Sequence, residues 1–166
     1  DDKITNSTFW EVKATHKQTL PNDFKFNGNL DLQKQGFNRN FSNNTSARAQ
    51  RNTDSYANIT KTWEGSSLDI LTRYRNSSQT GSDQTFAQLP QVTYKTQRQS
   101  IGDTNFFFSQ DSSFSSFLTD LDTSPDIDDK FSVQRFDFRP QFSYSTRIAP
   151  WLTFTPSLGL RETIYS

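Results

Sequence analysis

Several residue types that usually classify a protein are missing from this 166-residue chain. It contains no cysteine, so it can form neither a disulfide framework nor a thiolate metal site. Its 18 basic and 18 acidic residues give a formal net charge of zero, which provides no basic field for nucleic acid. It also contains no methionine, and we therefore expect that the chain starts after processing or lies inside a longer protein.

Long apolar stretches are missing too. The longest aromatic run is Phe106–Phe108, far short of the roughly 20 residues that a transmembrane helix requires. Apolar residues make up 31% of the chain, against about 45 to 50% in soluble domains on a count that includes glycine. Such polarity is typical of disordered chains and of outer-membrane β-barrels. The 16 Phe, 5 Tyr and 3 Trp, together with the zero net charge, argue against disorder.

The clearest pattern is an alternation of apolar and polar side chains from Arg135 to Tyr165, interrupted by a tight turn at Ala149 and Pro150. A period of two places the two sets on opposite faces of a β-hairpin. Each apolar face runs for about ten residues, which is the length of a tilted transmembrane strand. We predict that the lipid-facing residues are Phe136, Phe138, Phe142, Leu152, Phe154, Leu158 and Leu160. The predicted lumen-facing residues are Arg135, Asp137, Arg139, Gln141, Ser143, Arg147 and Arg161.

Weaker alternation upstream divides the whole chain into about eight strands. Six are predicted before the hairpin, at Thr8–Leu20, Phe24–Leu32, Asp54–Trp63, Leu68–Arg75, Thr85–Gln99 and Asn105–Leu118. Short connections at Pro21–Asp23, Glu64–Ser66, Ile101–Thr104 and Ala149–Pro150 alternate with long polar ones at Lys34–Thr53, Asn76–Gln84 and Thr119–Lys130. Short periplasmic turns and long outer loops are typical of an outer-membrane barrel. The predicted fold is therefore a single all-β, antiparallel transmembrane barrel unit over residues 1–166. We prefer this fold to a soluble barrel or sandwich.

Residues that could carry chemistry are few, and we predict no catalytic, cofactor or metal site and no enzymatic activity. His16 lies in phase with Val12 and Ala14, without a second His or a nucleophile motif, which favours a structural or interfacial role. The acidic loop from Asp120 to Asp129 could bind a divalent cation. It lacks the glycine and terminal glutamate of an EF-hand loop, so a solvated outer loop is the favoured interpretation.

Three stretches together resemble the LptD (OstA, organic solvent tolerance) family of outer-membrane lipopolysaccharide-assembly proteins. They are Leu89–Val92, Gln134–Pro140 and Trp151–Arg161, the last followed by Thr163 and Tyr165. The resemblance implies a very large barrel preceded by a periplasmic domain, with a lipoprotein plug inside. It also implies lateral passage of lipopolysaccharide to the outer leaflet.

This chain lacks the periplasmic domain and the family's cysteines, so we expect an internal piece of the barrel, located in the bacterial outer membrane. Its expected partners are lipopolysaccharide, outer-membrane lipid and a luminal plug. The alternative is a complete eight-stranded barrel acting as an anchor or adhesin. Closure separates the two hypotheses, because a complete barrel pairs the strand near Trp10 with the strand near Leu158.

Overall fold

A computed structural model describes residues 10–33, 52–79, 82–122 and 129–166 of the chain. Seven strands follow one another along it: β1 (Glu11–Thr19), β2 (Lys25–Gln33), β3 (Asn52–Trp63), β4 (Ser66–Gln79), β5 (Ser82–Ser100), β6 (Phe106–Asp122) and β7 (Asp129–Tyr144). Four short strands complete the chain: β8 (Thr146–Ala149), β9 (Leu152–Phe154), β10 (Ser157–Gly159) and β11 (Glu162–Tyr165).

The strands form one antiparallel meander. A nine-stranded sheet runs in chain order from β1 to β7, and both β10 and β11 pair with β7. The short strands β8 and β9 form a separate two-stranded sheet. The predicted all-β antiparallel class is confirmed. Within the described part of the chain β1 pairs with β2 alone, so the pairing between β1 and β10 that would close a small barrel is not formed.

No helix in the described residues is long and apolar enough to cross a membrane.

The three predicted short connections in the meander are present, and each has a local cause. Pro21–Asp23 forms a single 3₁₀ turn in which Asn22 and Asp23 both have a φ of 60°. Asn and Asp tolerate this left-handed region better than other non-glycine residues. Between β3 and β4, Gly65 has a φ of +75°, and between β5 and β6, Gly102 has a φ of +59°. These residues reverse the chain within a few positions and keep successive strands in register.

The predicted long connections are shorter than expected. β4 continues to Gln79 and β5 starts at Ser82, so the predicted loop Asn76–Gln84 is wrong over most of its length. The predicted loop Thr119–Lys130 is likewise wrong at both ends, where β6 continues to Asp122 and β7 starts at Asp129. Of the predicted loop Lys34–Thr53, residues 34–51 lie outside the described residues, and the last two belong to β3.

The C-terminal hairpin is also less continuous than predicted. β7 ends at Tyr144, and Ser145 separates it from β8, so the expected single strand from Arg135 to Ile148 is wrong. On the returning side, Thr155 and Pro156 separate β9 from β10, while Leu160 and Arg161 separate β10 from β11. Proline has no backbone N–H to give to a ladder, which accounts for the interruption at Pro156.

Candidate functional site

One row of apolar side chains crosses the sheet at right angles to its strands. Residues directly opposite one another in antiparallel strands lie on the same face, so the strand registers define the row. It consists of Phe26, Ile59, Ile70, Val92, Phe114, Phe136 and Ile164, one from each of β2 to β7 and one from β11. We call this side of the sheet the apolar face.

The next residue along each strand forms a second row, in which every member is polar. It consists of Lys25, Thr60, Asp69, Thr93, Ser113, Asp137 and Thr163. Because neighbouring residues of a strand point to opposite sides, this row lies on the other side, which we call the polar face. The two-sidedness predicted for the C-terminal hairpin thus extends across seven strands.

Neither face is covered by a second layer in the described part of the chain. There, Ala87 is the one buried apolar residue, whereas Phe136, Phe142 and Leu158 are exposed on the apolar face. Contiguous apolar surface of this extent is unusual on a soluble monomer and marks a surface that contacts lipid or another protein. The arrangement is a wall with two chemically different sides rather than a shell around a core.

The aromatic residues of the apolar face concentrate beside the short turns. Phe106 packs against Tyr144 with 4.7 Å between ring centroids, and Phe108 packs against Phe142 at 5.1 Å. On the same face, in the N-terminal half of the sheet, the rings of Phe24 and Trp63 meet edge to face with 6.5 Å between their centroids. Aromatic residues at one height of a sheet are typical of the interfacial girdles of membrane barrels.

Lys61 shows how a charge is accommodated on this face. Its ammonium lies 4.7 Å from the Phe24 ring centroid and 5.3 Å from that of Trp63, and it donates to the backbone carbonyl of Asn22 in the turn. The apolar stem thus lies along the face while the charge reaches the turn.

The polar face is held together by charged groups, of which Asp137 is the most enclosed. Its residue is 8% exposed, and its carboxylate accepts hydrogen bonds from Arg161 Nη2 at 2.7 Å, Arg161 Nε at 3.1 Å and Thr163 Oγ1 at 2.9 Å. Asp137 lies on β7, Thr163 on β11 and Arg161 just before β11. Asp137 therefore fastens the last strand to β7, through a two-pronged contact that a planar guanidinium makes well.

Charges of both signs continue across the polar face from β5 to β7. Lys95 Nζ lies 3.4 Å from Asp111 Oδ2, and Arg139 is directly opposite Asp111 on β7. In the N-terminal half, Asp54 lies 3.4 Å from Arg73 and 3.2 Å from Arg75. These are exposed or half-exposed pairs, which contribute little to stability but keep the face strongly hydrated.

The contacts of Arg98 on the polar face were not predicted from the sequence. The Arg98 guanidinium lies 3.8 Å from the Phe107 ring centroid, and its Nε donates to Ser143 Oγ at 3.2 Å. The pairing of β5 with β6 slips between Thr96 and Gln99, which brings Arg98 to the side of Lys95. A bulge of this kind changes the phase of the alternation, and the aromatic run Phe106–Phe108 gave no signal that its middle member faces the polar side.

Most of the predicted site residues lie on the main sheet in the expected alternation. The polar face of β7 carries Arg135, Asp137, Arg139, Gln141 and Ser143, and Arg161 joins them through Asp137. The apolar face carries Phe136, Phe138 and Phe142, with Leu158 of β10 directly opposite Phe142. The neighbours of Phe138 are more polar than those of Phe136 and Phe142, because Ser112 and Glu162 lie opposite it on the two flanking strands.

The other predicted residues lie off the regular ladder. Arg147 is exposed on β8, opposite Thr153, while Leu152 and Phe154 belong to β9, so all three are in the separate two-stranded sheet. Leu160 lies between β10 and β11, where its N–H donates to the carbonyl oxygen of Pro140.

In the described part of the chain, the candidate ion and histidine positions are not gathered into a metal-binding cluster. Among the described residues no group of three His, Asp or Glu side chains is placed to hold a metal ion. Of the acidic loop, residues 123–128 lie outside the described residues. His16 is exposed on β1, where its Nε2 lies 3.2 Å from the Gln18 side-chain oxygen and its ring is 5.9 Å from that of Phe26.

Comparison with known proteins gives one informative result. The family model described as "LptD: LPS transport system D" matches residues 7–166. Comparison with curated proteins and with solved structures found no significant match. The family match covers nearly the whole chain, including every described strand, and it agrees with the resemblance of the three C-terminal stretches. The chain belongs to the LptD family of lipopolysaccharide transport proteins.

Proposed function

We propose that this chain forms part of the wall of an outer-membrane barrel that inserts lipopolysaccharide into the outer leaflet. The observation that carries the proposal is the pair of adjacent rows, one wholly apolar and one wholly polar, that cross seven strands of a single uncovered sheet. A wall between hydrocarbon and water requires this division of side chains. Membership of the LptD family is the reason for proposing lipopolysaccharide as the transported molecule.

The proposed orientation follows from the two faces. The apolar face contacts lipid, the polar face lines the lumen, and the short turns lie in the periplasm. β4 to β7 have 14 to 19 residues each, more than the roughly 9 to 11 that span a bilayer. The surplus lies at the end away from the short turns, so we propose that the sheet continues beyond the membrane on the outer side.

Lipopolysaccharide carries anionic sugars and phosphates on apolar acyl chains, so its head group requires a hydrated route. Arg98, Arg135 and Arg139 offer positive charge on the proposed luminal wall, whereas Lys95 and Arg161 are engaged with Asp111 and Asp137. Mixed charge of this kind favours weak, exchangeable contacts over one tight site. We therefore propose a transport role rather than an enzymatic one, with the wall also available to a luminal plug protein.

Photo-crosslinking in the full-length protein tests this proposal. Crosslinkers at Arg139, Gln141 and Ser143 should capture transiting lipopolysaccharide or a luminal protein, and matched crosslinkers at Phe138 and Phe142 should capture bulk lipid. The reverse pattern would overturn the assignment of the faces.

Depletion of the full-length protein provides a separate test of the cargo. It should lower the lipopolysaccharide exposed at the cell surface. Unchanged surface lipopolysaccharide would contradict the transport role and would favour the alternative hypothesis of an anchor or adhesin.

A further inference from the structure

One connection at the short-turn end of the sheet differs from its neighbours. Strands β1 and β2 are joined by Pro21–Asp23, β3 and β4 by Glu64 and Gly65, and β5 and β6 by residues 101–105. The chain leaving β7 instead continues through the hairpin of β8 and β9, residues 146–154, before it returns as β10. We call these residues the tip hairpin.

The tip hairpin is amphipathic, and its apolar residues are strongly exposed. Trp151 in its turn is 83% exposed, and Phe154 on β9 is 53% exposed. Leu152 and Phe154 alternate along β9 on one side, whereas Thr153 lies opposite Arg147 on the other. The neighbouring turn at residues 101–105 exposes Ile101 at 47%, well below Trp151, and exposed apolar surface of this kind marks a contact with lipid or protein.

The joint between the tip hairpin and the main sheet is narrow. Tyr144 N–H donates to the carbonyl of Pro156, and the hydroxyls of Ser145 and Thr155 lie 3.3 Å apart. The Ser145 N–H donates sideways to Asn105 of the neighbouring turn rather than across the hairpin. Because Pro156 has no N–H, the ladder is interrupted here, and the hairpin forms its own two-stranded sheet, which few backbone hydrogen bonds tie to the main sheet.

The length of the tip hairpin, compared with the thickness of the polar layer of a bilayer, indicates whether the hairpin stands upright or lies along the membrane surface. Ala149, at the end of β8, lies five positions after Tyr144, whose ring packs against Phe106 beside the short turns, a reach of about 17 Å at roughly 3.4 Å per residue. The polar layer on one side of a bilayer is only roughly 5 to 8 Å thick. An upright hairpin would carry Trp151 through that layer into water. A hairpin tilted onto the surface keeps Trp151 and Phe154 within the layer that tryptophan prefers.

We propose that the tip hairpin lies along the phospholipid surface at the short-turn end, with Leu152 and Phe154 directed into the boundary between headgroups and acyl chains. In the alternation of the sequence, Leu152 and Phe154 keep the phase of Leu158, which lies opposite Phe142 on the apolar face. Its role is to anchor the lower edge of the wall at a fixed depth. The inference rests on the proposed membrane orientation of the sheet.

Depth-dependent fluorescence quenching tests the inference in the full-length protein, reconstituted in phosphatidylethanolamine and phosphatidylglycerol vesicles. A fluorescent label is placed at one position at a time, and vesicles contain quenchers at the headgroup or at the middle of the acyl chain. Labels at Trp151 and Phe154 should be quenched at least threefold more by the headgroup quencher than by the deep one. Leu152 provides a second position on the same side if the Phe154 variant folds poorly.

Three control positions make the outcomes distinguishable. Leu158 on the apolar face should respond more to the deep quencher than Trp151 and Phe154 do, whereas Thr153 and Asp103 should respond to neither. If Leu158 responds as expected while Trp151 and Phe154 behave like Asp103, the hairpin contacts water or protein and the inference is overturned alone. If Leu158 is also unquenched, the membrane orientation of the sheet and the inference fall together.

Discussion

The surroundings of each side chain on this sheet are set by its partners on the flanking strands. Phe142 illustrates the point, because it lies between Phe108 of β6 and Leu158 of β10. The next residue, Ser143, lies instead between Phe107 and Ser157 and accepts a hydrogen bond from Arg98. Exposure alone does not separate the two environments, because both faces are open. Substitution effects should therefore depend on the face rather than on burial.

An arginine at Phe142 should be far more damaging than the same residue at Ser143. On the lipid side of a barrel an arginine costs about 2 to 4 kcal/mol at the midplane and about 0 to 1 kcal/mol near the interfaces, and Phe142 lies between these depths, whereas positions on the aqueous side tolerate charge. The measurement is the free energy of unfolding of full-length Phe142→Arg in lipid vesicles, with Ser143→Arg as the matched control and Leu158→Arg as a second apolar position. Equal losses at Phe142 and Ser143 would contradict the two-sided wall.

Asp137 should matter more for the attachment of β11 than any other carboxylate of the polar face. Asp137→Asn weakens the acceptor for Arg161 and Thr163, so β11 should open more often and its backbone amides should exchange faster with deuterium. Asp54→Asn is the control, since Asp54 pairs with Arg73 and Arg75 on β4, in the N-terminal half of the sheet. Unchanged exchange in β11 of the Asp137→Asn protein would show that backbone pairing alone holds this strand.

Strands could be predicted from the sequence where one face is apolar, and they were misjudged where both faces are polar. β1, β2 and the start of β4 follow the expected alternation closely. The ends of β4 and β5 away from the short turns are rich in Ser, Asn, Gln and Asp, so no period-two signal marks them, and at the start of β7 Phe131 and Val133 alternate in the phase opposite to Phe136. Their pairing rests on backbone hydrogen bonds, which the side-chain pattern does not encode. The bulge at Arg98 was not predicted either, because a shift in strand register does not change the amino-acid composition of the strand.

The turns, in contrast, were predicted correctly from residue type, and Gly65 offers a test of why. An added Cβ at Gly65 would lie 2.1 Å from Gln99 Nε2, whereas at Gly102 it would meet nothing within 4 Å. Both residues have positive φ, which costs a non-glycine residue about 1 kcal/mol or more. Gly65→Ala should therefore destabilise the full-length protein more than Gly102→Ala.

Adding Gln99→Ala to Gly65→Ala should remove the excess and leave a loss similar to that of Gly102→Ala. Thermal or denaturant unfolding measures all three variants against the parent protein. A Gly65→Ala loss that Gln99→Ala does not reduce would place the whole cost in the backbone of the turn.

At the scale of the whole molecule, the described strands form one open sheet with a margin at β1 and another at β10 and β11. Among the described strands β1 has a partner on one side only, and β10 and β11 have β7 as their one neighbour. The sequence supplied the two faces but left the closure open, because pairing between distant strands depends on geometry rather than on alternation. The family match and these margins support the proposal of a wall that continues into further strands.

This arrangement predicts that residues 1–166 expressed alone do not form a stable membrane protein. Each unpaired N–H or C=O placed in hydrocarbon costs several kcal/mol, and both margins present rows of them. Refolded in detergent, the isolated chain should remain protease-sensitive and should migrate identically with and without heating. The full-length protein, treated in parallel, should give the heat-modifiable, protease-resistant form of a closed barrel. A heat-modifiable monomer from the isolated chain would mean that β1 meets β10 and β11 after all. The eight-stranded anchor or adhesin would then replace the transport wall, because a barrel of that size fills its lumen with side chains and leaves no route for lipopolysaccharide.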